Sequence, residues 1–80
     1  MISEYIQACL RQASYEILAD DHSFYGEIPC CTGVYANAAT LELCREELRD
    51  VLEGWLLLRL TQGLALPVVD GVNLVAPKVA

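Results

Sequence analysis

Four cysteines, one histidine and a group of acids are the residues of this chain with chemistry to offer. Cys30 and Cys31 stand side by side in YGEIPCCTGV (residues 25–34), while Cys9 and Cys44 lie far from them in sequence. A structural zinc site draws four ligands, usually from Cys pairs separated by a short spacer so that the side chains converge on a tetrahedron. Cys30-Cys31 has no spacer, Cys9 and Cys44 fall on the apolar stripes of two different helical segments, and His22 is the one further nitrogen ligand. The pattern therefore predicts small hydrophobes together with exposed thiols in a turn, and no metal. A nucleophilic cysteine wants a base or positive charge beside it, and the charges nearest in sequence to Cys30 and Cys31 are acidic.

The acids are the second candidate. Asp20, Asp21 and Glu27 flank one predicted hairpin and could gather around a hydrated Mg²⁺. Adjacent Asp-Asp is also ordinary turn composition, and no second carboxylate pair at helical spacing supports a two-metal nuclease. His22 has no serine or cysteine partner identifiable by spacing, so it reads as a loop residue and not a general base. No catalytic residue, metal ligand or cofactor site is expected.

The elements that carry these residues follow from periodicity. In ISEYIQACLRQA the residues Ile2, Tyr5, Ile6, Cys9, Leu10 and Ala13 recur at helical spacing, with Ser3 placed to cap, and residues 1–14 are assigned to an N-terminal helix. YEIL (15–18) and FYGEI (24–28) alternate around a polar loop as an antiparallel hairpin. Pro29 stops the second strand, Gly33 permits a turn, and VYAN (34–37) makes a third strand. Thr40 is placed to cap a long helix in which Leu41, Cys44, Leu48, Val51, Trp55 and Leu58 recur at steps of three and four. Gly63 ends it where a left-handed residue is wanted. Residues 64–80 are read as a tail with one final strand at Val72–Val75. The chain is thus one domain, residues 1–80, of α+β class, with the 15–63 core of three strands and one long helix on a small, mostly antiparallel sheet.

This alternation puts Tyr25 and Tyr35 on the sheet face opposite Phe24, Ile28 and Val34. That face is either an amphipathic interface or the seat of the N-terminal helix. In the long helix, Leu52, Leu56, Leu57 and Leu60 widen the apolar stripe beyond what one sheet face covers, and are expected to meet another subunit.

Composition points the same way. An 80-residue chain that is 55% hydrophobic, with mean hydropathy +0.36, has little volume in which to hide its apolar surface. A domain of this size buries roughly 60% of the surface its unfolded chain exposes, so a homo-oligomer, dimer or tetramer, is expected. Charges interrupt every apolar run, which predicts neither a membrane span nor a secretory leader, and hence a cytoplasmic protein with reduced thiols. The net charge of −6 disfavours direct nucleic-acid binding and suits either a basic partner or simple solubility.

YEIL, a short acidic loop, FYGEIP, a turn ending in Gly33, a short strand, and Thr40-Leu41-Glu42 opening a helix with WLLLRL and Gly-Leu-x-Leu-Pro together resemble the HicB-like antitoxin family. The similarity spans about Tyr15 to Pro67 and is most specific over Tyr25–Pro29, Gly33 and Thr40–Glu42. Thr32 in place of a proline, Ala38-Ala39 in place of a glycine-containing approach, and Leu43-Cys44 in place of Glu-Ala depart from that pattern. The resemblance implies a β-β-β-α-β unit, a truncated ribonuclease-H-like arrangement without the acidic active site. It also implies a partner, a small basic HicA-type toxin that cleaves mRNA. Many such antitoxins carry a further operator-binding module; these 80 residues contain no basic helix, so none is expected here.

The resulting expectation is a non-enzymatic binding protein that masks a toxin ribonuclease, through Asp20, Asp21, Tyr25, Glu27 and Tyr35. The alternative is a stand-alone homo-oligomeric ligand-binding or scaffold domain with no toxin.

Overall fold

The computed structural model describes residues 2–69 and 71. Helix α1 (Ile2–Arg11) leads into strands β1 (Ser14–Ile17), β2 (Phe24–Glu27) and β3 (Tyr35–Ala38), followed by helix α2 (Leu41–Gln62). The sheet is antiparallel throughout, in the order β1-β2-β3. This is the expected α+β arrangement, with each strand within one residue of its predicted limits. Ser3 lies inside the first turn of α1 and is not its cap, since Ile2 is already helical. The strand expected at Val72–Val75 falls outside the described residues.

Local chemistry explains the boundaries. Helix α1 tightens as it ends, with Gln12 N–H donating to the Cys9 carbonyl at 3.0 Å and Ala13 N–H to Leu10 at 3.2 Å. The β1–β2 loop is closed by Leu18 N–H to the Ser23 carbonyl at 2.8 Å, and by Ser23 N–H to Asp21 Oδ1 at 3.0 Å. Asp21 therefore makes an Asx turn, and His22 takes a left-handed φ of 59°. In the β2–β3 loop the amides of Ile28, Cys31 and Val34 are all satisfied internally, and Gly33 supplies the positive φ of 93° that reverses the chain.

Thr40 caps α2 as its sequence predicts: its backbone is extended and Oγ1 accepts from Leu43 N–H at 3.1 Å. At the other end Gly63 is left-handed, with Gly63 N–H on Leu60 O and Leu64 N–H on Arg59 O, the two bonds of a Schellman motif.

Packing is organised by one row on α2. Cys44, Leu48, Leu52 and Leu56 are its buried residues, a strict step of four. Such a row runs obliquely to the helix axis, and α2 packs through it on β2, β3 and α1. The predicted stripe of alternating three and four steps is corrected accordingly: Val51, Leu41 and Leu58 are exposed and Trp55 is half-buried. Around the row gather Tyr5, Ile6, Ala8 and Cys9 of α1, and Ile28, Cys31 and Val34 of the β2–β3 loop. Ala36 of β3 and Val69 complete the core. Beyond the helix the chain returns, and the Tyr5 hydroxyl donates to the Pro67 carbonyl.

Candidate functional site

Register decides which side chains share a face. Tyr15, Gly26 and Ala36 lie abreast across the sheet, as do Ile17, Phe24 and Ala38. A Cβ placed on Gly26 would come 3.2 Å from Cys44 Sγ, so this is the face that α2 covers. Alternation then turns Ser14, Glu16, Tyr25, Glu27, Tyr35 and Asn37 to the other side. Among the elements, α1 packs on α2 and on no strand. The sheet's second face therefore carries no helix among the described residues, and the N-terminal helix does not sit against Tyr25 and Tyr35.

On that open face Tyr25 and Tyr35 stack, with ring centroids 6.3 Å apart and planes at 27°. Glu16 is the cross-strand neighbour of Tyr25, and Glu27 that of Tyr35. Burial raises the Tyr25 phenol above its ordinary pKa, and the charges of Glu27, Tyr35 and Glu16 add to this. The hydroxyl therefore remains a neutral donor beside two carboxylates. Tyr35 is 59% exposed. Asn37 Nδ2 donates to Ser23 Oγ at 2.9 Å and to the Phe24 carbonyl at 2.8 Å, which pins the loop to the end of the face.

Three of the five expected contact residues, Tyr25, Glu27 and Tyr35, come together here. Asp20 and Asp21 do not join them: they sit in the loop before Phe24, at the opposite end of β2 from Glu27, a strand length of about 10 Å. Asp21 uses its carboxylate on the turn, and that bond to Ser23 lowers its pKa. The three acids consequently share no centre, and among the described residues no group of three His, Cys, Asp or Glu is placed to hold a metal ion. The sequence does not single out Glu16, because its place beside Tyr25 depends on hairpin register.

The expected subunit contacts divide. Leu52 and Leu56 are fully buried in this chain's own core, so they are not available to a second subunit. Leu60 is half-buried and Leu57 is 68% exposed. On a different side of α2 from Leu57, Val51 and Leu58 are exposed seven residues apart on one flank. Between α1 and α2 an open hollow of about 200 Å³ is lined by Ile2, Ile6, Glu53, Leu56, Leu57 and Leu60.

The cysteines are gathered in a way their spacing does not announce. Cys9 on α1 and Cys31 in the β2–β3 loop bring their sulfurs to 3.9 Å, and Cys30 lies 3.9 Å from Cys31 in turn. Cys44 is apart, donating to the Ala36 carbonyl at 3.6 Å. All four are thiols, three buried and Cys30 exposed. No helix among the described residues is long and apolar enough to cross a membrane.

The sequence matches the UPF0150-like family over residues 4–67. The fold is similar to the crystal structure of TTHA0281 from Thermus thermophilus, with a TM-score of 0.90 and 35% sequence identity over 96% of this chain and 95% of that one. No curated protein matches the sequence. With the family matched over residues 4–67 and a 35% identical relative of similar fold covering 96% of the chain, the chain belongs to the UPF0150-like family.

Proposed function

We propose that this chain is a non-enzymatic binding protein of the HicB-like antitoxin kind, and that the open sheet face is its partner surface. The observation that carries the reading is the Tyr25–Tyr35 stack flanked by Glu16 and Glu27 on a face no described helix covers. Exposed, rigid aromatic rings with a polar tip are what protein interfaces use as anchors. Carboxylates at their rim favour a basic partner by complementarity and speed its approach. The partner proposed is a small basic toxin of the HicA type, an mRNA-cleaving protein, blocked by cover of its active site. The net charge of −6 supports the same direction of attraction.

Co-expression with the small basic protein encoded beside this gene tests the reading. The two are expected to co-purify, and cell growth arrested by the basic protein alone is expected to resume. A basic neighbour that stays toxic and unbound would overturn it.

One observation favours a second reading, a homo-oligomeric domain that acts without a toxin: one flank of α2 exposes Val51 and Leu58, two turns apart on the same side. The absence of any small basic reading frame beside the gene, together with a stable oligomer in solution, would select it.

A further inference from the structure

The thiols of Cys9, Cys31 and Cys30 form a graded series from core to solvent. Cys9 and Cys31 are fully buried, Cys30 is exposed, and each sulfur lies 3.9 Å from the next. Cys30 also lines an open hollow of about 270 Å³ with Gln12, Val68 and Val69, wide enough for a small solute to reach its sulfur. The cluster joins three parts of the chain that are distant in sequence. Cys9 belongs to α1, Cys30 and Cys31 to the β2–β3 loop, and Tyr5, one turn before Cys9, holds the returning segment through Pro67.

We propose that Cys30, Cys31 and Cys9 constitute a thiol relay, in which a hydroperoxide oxidises the exposed Cys30 and the oxidation ends as a disulfide between buried Cys9 and Cys31. In the first step the Cys30 sulfur attacks the peroxide O–O bond, which breaks. An alcohol (water, for hydrogen peroxide) leaves and Cys30 becomes a sulfenic acid. The Cys31 sulfur then attacks the Cys30 sulfur, water leaves, and a Cys30–Cys31 disulfide forms. A disulfide between adjacent residues is strained and readily exchanged. The Cys9 sulfur attacks Cys31, forming Cys9–Cys31 and returning Cys30 as a thiol. In sum, two thiols lose two protons and two electrons, and one peroxide is reduced to an alcohol and water. The sulfurs of Cys9 and Cys31 need to close from 3.9 Å to about 2.05 Å, a movement within the range of side-chain rotation.

The order of events follows from access. Cys9 and Cys31 see no solvent, and burial together with the neighbouring thiols keeps Cys31 protonated, so it reacts only with the adjacent Cys30 sulfenic acid, its proton leaving with the displaced hydroxyl as water. Only Cys30 can start the sequence. The product staples α1 to the β2–β3 loop, closing a stretch with a sequence separation of 22.

The test uses the full chain, reduced, freed of reductant and exposed to hydrogen peroxide. Remaining thiols are then alkylated under denaturing conditions and the peptides are mapped by mass. The expected product has Cys9 joined to Cys31, with Cys30 and Cys44 alkylated, and melts about 10 °C above the reduced protein. In the Cys30→Ser variant, direct oxidation of the pair must await local opening, so Cys9–Cys31 should form about tenfold more slowly or worse. In Cys9→Ala, oxidation should stop at Cys30–Cys31 or proceed to higher oxides of Cys30. The proposal is overturned if Cys9 and Cys31 remain alkylatable after oxidation. It is equally overturned if Cys30 pairs only between two molecules, or if Cys30→Ser forms the buried disulfide as fast as the parent chain.

Discussion

Gly26 and Tyr15 face each other across the β1–β2 ladder so closely that a Cβ on Gly26 would lie 2.7 Å from Tyr15 Cε1 and 2.8 Å from Cδ1. The tyrosine ring occupies the space that any other residue would need, with Cys44 Sγ closing the same space from α2. A strand glycine of this kind marks a close approach and not a flexible point. It lets α2 settle on the sheet.

Gly26→Ala is therefore expected to destabilise the fold by about 1–3 kcal/mol, the usual cost of overpacking. Thermal melts of the variant should show the loss, while far-ultraviolet circular dichroism at low temperature stays unchanged. The double variant Gly26→Ala with Tyr15→Leu should recover part of it, because the ring is the obstacle. Unchanged melting for Gly26→Ala would mean that the Tyr15 ring moves aside freely.

The row on α2 makes a contrast between neighbours. Leu56→Ala removes a buried side chain and is expected to cost about 2–5 kcal/mol, whereas Leu57, 68% exposed, should tolerate alanine with little change in melting. If the flank of α2 that carries Val51 and Leu58 is a contact between copies, Leu58→Glu, at a residue 55% exposed, will lower the mass found by light scattering without lowering helicity. A mass unaffected by Leu58→Glu would remove that flank from any assembly.

Much of this arrangement is legible in the sequence, and the limits have physical causes. Thr40 and Gly63 announce the ends of α2 because capping is local chemistry, and Pro29 and Gly33 mark the loop for the same reason. Tyr25 and Tyr35 can be assigned to one face because alternation is local too. Glu16 follows the same alternation, but its place beside Tyr25 cannot be read, since that pairing depends on how many residues the β1–β2 loop consumes. A wide apolar arc on a helix does not distinguish one's own core from a partner's surface, which is why the stripe alone points Leu52 and Leu56 outward. The approach of Cys9 to Cys31 arises from the way α1 packs beside α2 and over the β2–β3 loop, a tertiary choice with no spacing signature.

Alkaline sensitivity follows from the buried acids of the cluster. Burial, reinforced by the adjacent thiols, pushes the Tyr5 phenol and the Cys31 thiol well above their ordinary values. Both groups are neutral when protonated, so the folded state holds its protons to higher pH than the unfolded chain does. Their contribution to stability is complete below the unfolded values of about 8.5 for cysteine and 10 for tyrosine, and is lost as pH rises from there toward the folded values. Reduced protein should thus melt progressively lower from about pH 8.5 upward. Tyr5→Phe should flatten the part of that decline above about pH 10. A melting temperature constant from neutral to strongly alkaline pH would contradict this account.

The partner face makes a prediction that separates anchoring from attraction. Tyr35 is 59% exposed and supports no core, so Tyr35→Ala should leave melting nearly unchanged. Against a basic protein partner it should weaken binding by about tenfold or more, as loss of an aromatic anchor does. Glu16 and Glu27 act differently. They lie at the rim of the stack, where charge is screened by salt over about 10 Å at 0.1 M, so Glu16→Gln and Glu27→Gln should chiefly slow association. Rates measured from low to high salt should converge for parent and glutamine variants, while the Tyr35→Ala defect persists in the dissociation rate at every salt concentration. A Tyr35→Ala variant that binds and dissociates like the parent would exclude the open face as the contact surface, whatever the partner proves to be.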